Sequence, residues 1–133
     1  MMTMTQRRQT EFHRTMLAVP AAVKQARDLV AQALAYWRQP AEVIDNARIV
    51  VSELATNASA AKPHGEIRLR VSLEEHVIRI SLWDSLPTTP ELRHPTPDDE
   101  TGRGLHIVTA LTITRGTYLE ADGKVVYATL PRT

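Results

Sequence analysis

The sequence has 133 residues, with a hydrophobic fraction of 43% and a charged fraction of 23%, which is the composition of one globular domain with one core. Its formal net charge of +1 gives no evidence of a broad basic surface, so we expect no direct nucleic-acid binding. The absence of cysteine excludes disulfides, thiolate metal sites and cysteine nucleophiles. No apolar run approaches the roughly 20 residues that span a bilayer, so we expect a cytoplasmic protein without a membrane partner.

The first part of the chain predicts a strand and two helices. Apolar and polar residues mix between Thr10 and Val19, which indicates an edge strand. Pro20 suits the first turn of a helix, and apolar residues recur at helical spacing as far as Trp37. A second helix is expected over residues 41–61, where apolar residues form one stripe at the 3.6-residue period. That stripe contains Val43, Ala47, Val50, Val51, Leu54 and Ala58.

Two strands and a long loop come next. Apolar residues alternate with polar residues over 67–73 and again over 77–82, and such alternation is typical of a half-buried strand. Glu74-Glu75-His76 joins the two segments as a hairpin turn, so the strands should pair antiparallel. The loop over residues 85–101 carries four prolines and the acidic run Asp98-Asp99-Glu100. A loop of this length in a small domain is usually functional or disordered.

A short helix and two more strands follow the loop. Apolar residues after Gly104 predict a helix over residues 105–111, and strands fit residues 112–119 and 124–130 around a turn at Ala121-Asp122-Gly123. We therefore predict an α+β fold, a two-layer α/β sandwich with a mostly antiparallel sheet and the helices on one face. Residues 1–9 are expected to form a flexible tail, and residues 10–133 a single domain.

Two polar residues on the second helix are the first candidates for a functional site. Glu53 and Asn57 are four residues apart, so they face the same way, at the border of the apolar stripe. A glutamate can accept a proton as a general base, and the carbonyl oxygen of an asparagine suits the hard cation Mg²⁺. The alternative is a solvated Glu and Asn on the helix surface, and the helix alone does not exclude it.

Asp84 is the second candidate, because it ends an apolar strand and precedes the proline-rich loop. A carboxylate at a strand end can accept a hydrogen bond from an exocyclic amine such as that of adenine. The structural alternative is an Asx turn or a helix cap.

Gly102-Arg103-Gly104-Leu105 is the third candidate. Glycines before a helix let the backbone approach an anion, and the free N–H groups and the helix dipole then favour phosphate. Arg103 can add a charge-assisted contact. The alternative is a plain hinge between a loop and a helix.

The order and spacing of these segments resemble the GHKL superfamily of nucleotide-binding domains, which includes gyrase, MutL and the catalytic domains of histidine kinases. Residues 51–58, VSELATNA, closely match the N box of its anti-sigma factor serine kinases. Leu82-Trp83-Asp84 looks like the first adenine-binding box, and residues 101–108, TGRGLHIV, look like the second glycine box. Residues 123–131, GKVVYATLP, resemble the G-K-x-V-W-x-x-L-P ending common in actinobacterial members.

The resemblance implies the GHKL fold, the cofactors ATP and Mg²⁺, and a role for each candidate. Glu53 would be the base for phosphoryl transfer, Asn57 would hold Mg²⁺, and Asp84 would bind the adenine amine. Phosphate contacts would come from four residues: Gly102, Arg103, Gly104 and Leu105. The implied function is that of a serine/threonine kinase acting as an anti-sigma factor. It would phosphorylate an anti-anti-sigma factor of the STAS type, bind a sigma factor, and be capable of forming a homodimer.

Two departures from the family pattern favour an alternative function. The first adenine box often reads D-x-G-x-G, but Asp84-Ser85-Leu86-Pro87-Thr88 has neither glycine. Many members also carry a histidine four residues after the asparagine of the N box, where this chain has Ala61. The alternative is a non-catalytic or weakly ATP-binding module that regulates by binding a sigma factor or another protein.

Overall fold

The computed structural model describes residues 9–86 and 109–133. Their elements, in chain order, are β1 (Glu11–Leu17), α1 (Pro20–Tyr36), α2 (Ala41–Ala61), β2 (Glu66–Leu73), β3 (Val77–Asp84), β4 (Thr114–Glu120) and β5 (Gly123–Pro131). Of the predicted tail only residue 9 is described, and of the predicted long loop only residues 85 and 86. Residues 102–105 lie entirely outside the described residues. The end of the predicted short helix is described, and residues 109–111 are helical.

The strands form a five-stranded sheet in the order β1-β2-β3-β5-β4, and each neighbouring pair within the described residues is antiparallel. Both the hairpin between β2 and β3 and the edge position of β1 are therefore confirmed. With α1 and α2 packed on one face of this sheet, the architecture is the predicted two-layer α+β sandwich. Because β5 lies between β3 and β4 and is antiparallel to β3, the start of β5 lies beside the end of β3.

The last hairpin differs from its prediction at the turn. Glu120 pairs with Gly123, so the turn contains only Ala121 and Asp122, and both have a positive φ, of 49° and 59°. Two consecutive positive φ angles are typical of the type I′ turn, whose twist matches that of the flanking strands. Because the turn is this tight, Gly123 is the first residue of β5 rather than part of a three-residue turn.

The core lies between the sheet and the two helices. Helix α1 packs against α2 and covers β1 and β2, while α2 covers β3 and β5. The buried side of both helices is rich in alanine, which lets the helices approach closely: Ala22, Ala26, Ala33, Ala47, Ala55 and Ala58. Fully buried aliphatic side chains such as Leu69 and Ile80 fill the sheet side, each stabilising the fold by about 1.5–3 kcal/mol. Across the described part of the chain, no helix combines the length and hydropathy needed to cross a membrane.

Candidate functional site

Asp84 is a buried carboxylate at the end of a central strand. It is the last residue of β3 and pairs with Ile67 on one side and Lys124 on the other. Because side chains alternate along a strand, Asp84 shares the face of the buried residues Ile80 and Leu82, which is the face covered by the helices. Only 2% of Asp84 is exposed, so its charge requires partners inside the protein.

Lys124 supplies the main partner of that carboxylate. Its Nζ donates to Asp84 Oδ1 at 2.9 Å and to the carbonyl oxygen of Leu86 at 3.0 Å. The backbone N–H of Leu86 donates to the same Asp84 Oδ1 at 2.9 Å, which closes an Asx turn. Asp84 thus forms the Asx turn that was the structural alternative in the sequence analysis, and this turn uses only one of the two carboxylate oxygens.

The C-terminal end of α2 lies at the same edge of the sheet as Asp84. The capping residue Lys62 donates from Nζ to Ser85 Oγ at 2.8 Å, which joins the end of the helix to the residue after β3. Asn57 is five residues before Lys62, roughly 7 Å along the helix axis, and Glu53 is one turn further away. The structure therefore brings Asn57 and Asp84 to one end of the sandwich, with Glu53 a turn further from it.

Glu53 and Asn57 are both half-buried on α2, which fits the predicted position at the border of the apolar stripe. The neighbouring buried residues Val50, Leu54 and Ala58 face the sheet, so both polar side chains emerge beside the layer interface. Among the described residues, none forms a hydrogen bond with the side chain of Asn57. Its amide is available for a ligand, whereas Glu53 already has an electrostatic or hydrogen-bonding partner.

The donor set suits a magnesium ion shared with a phosphate ligand. The described residues contain no group of three or more His, Asp or Glu side chains that could hold a metal by themselves. Mg²⁺ commonly takes only one or two protein oxygens, and its other ligands are water and substrate phosphates. Asn57 can be such a single oxygen ligand, and the carboxylate of Asp84 is an acceptor for an amine. These residues fit a nucleotide with Mg²⁺ better than a metal held by protein ligands alone.

Lys124 is not among the site residues predicted from the sequence, although its position in the sequence contains a signal for it. Lys124 lies in the alternating series with Val126, Ala128 and Leu130, all of which face the helices. A lysine in a core-facing position needs an acidic partner, and the acidic residue that ends the neighbouring strand is Asp84. Gly102, Arg103, Gly104 and Leu105, the predicted phosphate contacts, fall in the part of the chain that the structure does not describe.

Comparisons with known proteins identify the family and the fold. A model of the histidine kinase-like ATPase domain matches residues 16–130. No protein of curated function shows significant sequence similarity to the chain. A crystal structure of the RsbU and RsbW domains of Rv1364c from Mycobacterium tuberculosis superposes with a TM-score of 0.71 at 19% identity. That match covers 93% of this chain but only 33% of the other.

The nucleotide-free catalytic domain of the histidine kinase ThkA also superposes on the chain. Its TM-score is 0.56 at 17% identity, and the match covers 91% of this chain and 96% of that domain. At these identities, likeness to solved structures establishes the fold alone. The family is established by the sequence model, which spans most of the chain.

Proposed function

The chain belongs to the histidine kinase-like ATPase domain family, and on that premise we propose that it uses Mg-ATP to phosphorylate a serine or threonine of a partner protein. The single observation that carries this proposal is the buried Asp84 carboxylate at the same end of the sandwich as Asn57. In the proposal, Asp84 accepts the amine of adenine. Asn57 holds Mg²⁺ on the phosphates, and Glu53 orients or deprotonates the attacking hydroxyl.

The direction of α2 supports this division of roles. Asn57 and Glu53 occupy successive turns that lead away from the Asp84 end, so a nucleotide with its base at Asp84 has its phosphates alongside the helix. Phosphoryl transfer depends mainly on positioning and on neutralising charge, and few protein groups are needed for it. The segment from Gly102 to Leu105 would contribute N–H groups and the Arg103 guanidinium to the phosphates.

The partner class follows from the sequence resemblance rather than from a contact. Residues 51–58 match the N box of anti-sigma factor serine kinases, and the fold is similar to a chain that contains an RsbW domain. We propose that the phosphoacceptor is an anti-anti-sigma factor of the STAS type and that the kinase also binds a sigma factor, so that it regulates transcription through other proteins.

Calorimetric titration with Mg-ATP tests the proposal. The wild type should bind, and Asn57→Ala should weaken binding by at least about tenfold, because a phosphate-bound metal loses its protein ligand. Thr56→Ala is the matched control, since Thr56 is the exposed residue immediately before Asn57 on the same helix, and the affinity of this variant should match that of the wild type. Absence of binding by the wild type at millimolar nucleotide would overturn the proposal.

A second candidate function is partner capture without phosphoryl transfer. The observation that favours it concerns the segment after Asp84. Leu86 stands where the D-x-G-x-G pattern has its first glycine, and Lys124 on β5 donates a hydrogen bond to the carbonyl oxygen of Leu86. Incubation with γ-labelled ATP and purified STAS-domain proteins separates the two functions. Transfer of label that is lost in Glu53→Gln supports the kinase, whereas a stable complex without transfer supports the binding module.

A further inference from the structure

Lys124 is a buried ammonium group at the candidate site. It is 3% exposed and lies at the start of β5 on the helix-facing side of the sheet. Lysine is almost never buried this completely without an acidic partner. Two of its three N–H bonds are accounted for, one by Asp84 Oδ1 and one by the carbonyl oxygen of Leu86.

These contacts make the two oxygens of Asp84 unequal. Oδ1 accepts from the Lys124 ammonium and from the Leu86 N–H at 2.9 Å each. The other oxygen, Oδ2, receives neither of these bonds, and it is the oxygen that we assign to the ligand. Since the backbone of Leu86 is bonded through both its N–H and its C=O, the carboxylate is held in one orientation.

The ammonium also determines what kind of hydrogen bond Asp84 can make. An ionised carboxylate only accepts, whereas a protonated one can donate. An uncompensated charge is costly in a protein interior. Lys124 compensates that charge at 2.9 Å, so Asp84 remains an acceptor and favours a donor such as an amino group over a carbonyl.

We propose that Lys124 is a positioning residue that sets base specificity: through Asp84 it makes the site select a purine with an exocyclic amine over one with a carbonyl at the same position. The inference rests on the proposed function, because it assigns the base to Asp84. The ligand class is a 6-aminopurine nucleoside triphosphate, and the class rejected is the 6-oxopurine equivalent. Arginine in place of Lys124 should retain the effect, since it keeps the charge and donor groups.

Calorimetric titration of each variant with Mg-ATP and with Mg-ITP, which carries a carbonyl in place of the amine, tests the proposal. The wild type should prefer ATP by at least about tenfold, the scale of one mismatched buried hydrogen bond. Lys124→Met should reduce that ratio to near one or below, and Lys124→Arg should keep the preference. Lys24→Met is the matched control, because Lys24 is an exposed lysine on α1 that pairs with Asp28, and its ratio should equal that of the wild type.

A double variant keeps the test decisive if Lys124→Met does not fold. Asp84→Asn with Lys124→Met leaves this pair of positions without a charge, and the amide of the new asparagine can offer either a donor or an acceptor, so the ATP preference should disappear. A folded Lys124→Met variant that keeps the wild-type ratio would overturn the role of Lys124 alone. A double variant that keeps that ratio would overturn the assignment of the base to Asp84 as well. A wild type that binds neither nucleotide would instead overturn the proposed function, and the base-specificity inference with it.

Discussion

Gly123 lies directly against Trp83. A Cβ on the Gly123 backbone would stand 2.8 Å from Nε1 of the Trp83 indole and would overlap the carbonyl oxygen of Asp84. The same indole donates from Nε1 to the carbonyl oxygen of Glu120 at 2.7 Å. The tight turn between β4 and β5 is therefore packed against the end of β3, and this packing aligns Lys124 with Asp84.

Gly123→Ala should destabilise the fold. Because the atoms that a methyl group would meet are backbone and indole atoms, the strands must move apart, and we expect a loss of at least about 1–3 kcal/mol. Urea denaturation followed by circular dichroism measures it.

Gly65→Ala is the control for this prediction. The Cβ at Gly65 would lie 3.0 Å from the flexible Lys62 side chain and 3.1 Å from the carbonyl oxygen of Lys62, so a small adjustment should accommodate it. We expect a change within about 1 kcal/mol of the wild type. Equal effects of the two substitutions would contradict the packing argument at Gly123.

Local patterns were sufficient to predict most of the elements. The 3.6-residue stripe of α2 and the alternation of Ile67, Leu69 and Val71 gave elements and buried faces that the structure confirms. Both signals report on which side of an element is apolar, and burial of that side is the main stabilising term in folding. The prediction of which residues face the core was therefore reliable even though strand ends differed by one or two residues.

The arrangement of the last two strands was not predicted, because it depends on contacts far apart in sequence. β5 lies between β3 and β4, and its residues are largely buried on both faces, while β4 is mostly exposed. A strand buried on both faces belongs in the centre of a sheet. The apolar sequence of β5 therefore already indicated a central strand. The consequence of this strand order for the site, that Lys124 lies beside Asp84, is seen only in the structure.

Ala26→Leu should destabilise the helical layer. Ala26 is fully buried on α1, so three more carbon atoms at this position must displace the residues packed around it. We expect a loss of about 1–3 kcal/mol and a lower midpoint in thermal unfolding. Ala35→Leu, on the exposed side of the same helix, should change stability by less than about 0.5 kcal/mol, and a similar loss in both variants would argue against a tight interface.

Glu74→Gln should reduce stability in a pH-dependent way. Arg79 donates to the Glu74 carboxylate from Nε at 2.8 Å and from a terminal nitrogen at 3.3 Å, and this hydrogen bonding lowers the pKa of Glu74 below its ordinary value of 4.5. Because the folded state has the lower pKa, the stabilisation is present above pH 4.5 and is lost as the pH falls through the folded pKa. The pair is partly exposed, so its contribution should be about 0.2–1 kcal/mol.

Denaturation of the wild type and Glu74→Gln across the acidic range measures this difference. The two curves should be separated at pH 7 and should converge as the pH falls below 4.5. Glu75→Gln is the control, because the Glu75 carboxylate is exposed and lies beside His76 rather than Arg79, and its curve should follow the wild type throughout. A separation for Glu74→Gln that persists at the most acidic pH would show that packing, not charge, accounts for the loss.

Glu53→Gln should separate nucleotide binding from catalysis. Glutamine keeps the size of the side chain but cannot accept the proton of an attacking hydroxyl or water, and a general base contributes about 10²–10⁴-fold to a rate. Binding of Mg-ATP, measured by calorimetry, should remain close to that of the wild type, because in the proposal Asp84 binds the adenine and Asn57 holds the metal. The rate of ADP release should fall by about 10²–10⁴-fold. Glu42→Gln, in the first turn of the same helix, should leave the rate unchanged. Full activity in Glu53→Gln would exclude Glu53 as the base and would favour a site in which α2 contributes to phosphoryl transfer through Asn57 and the metal.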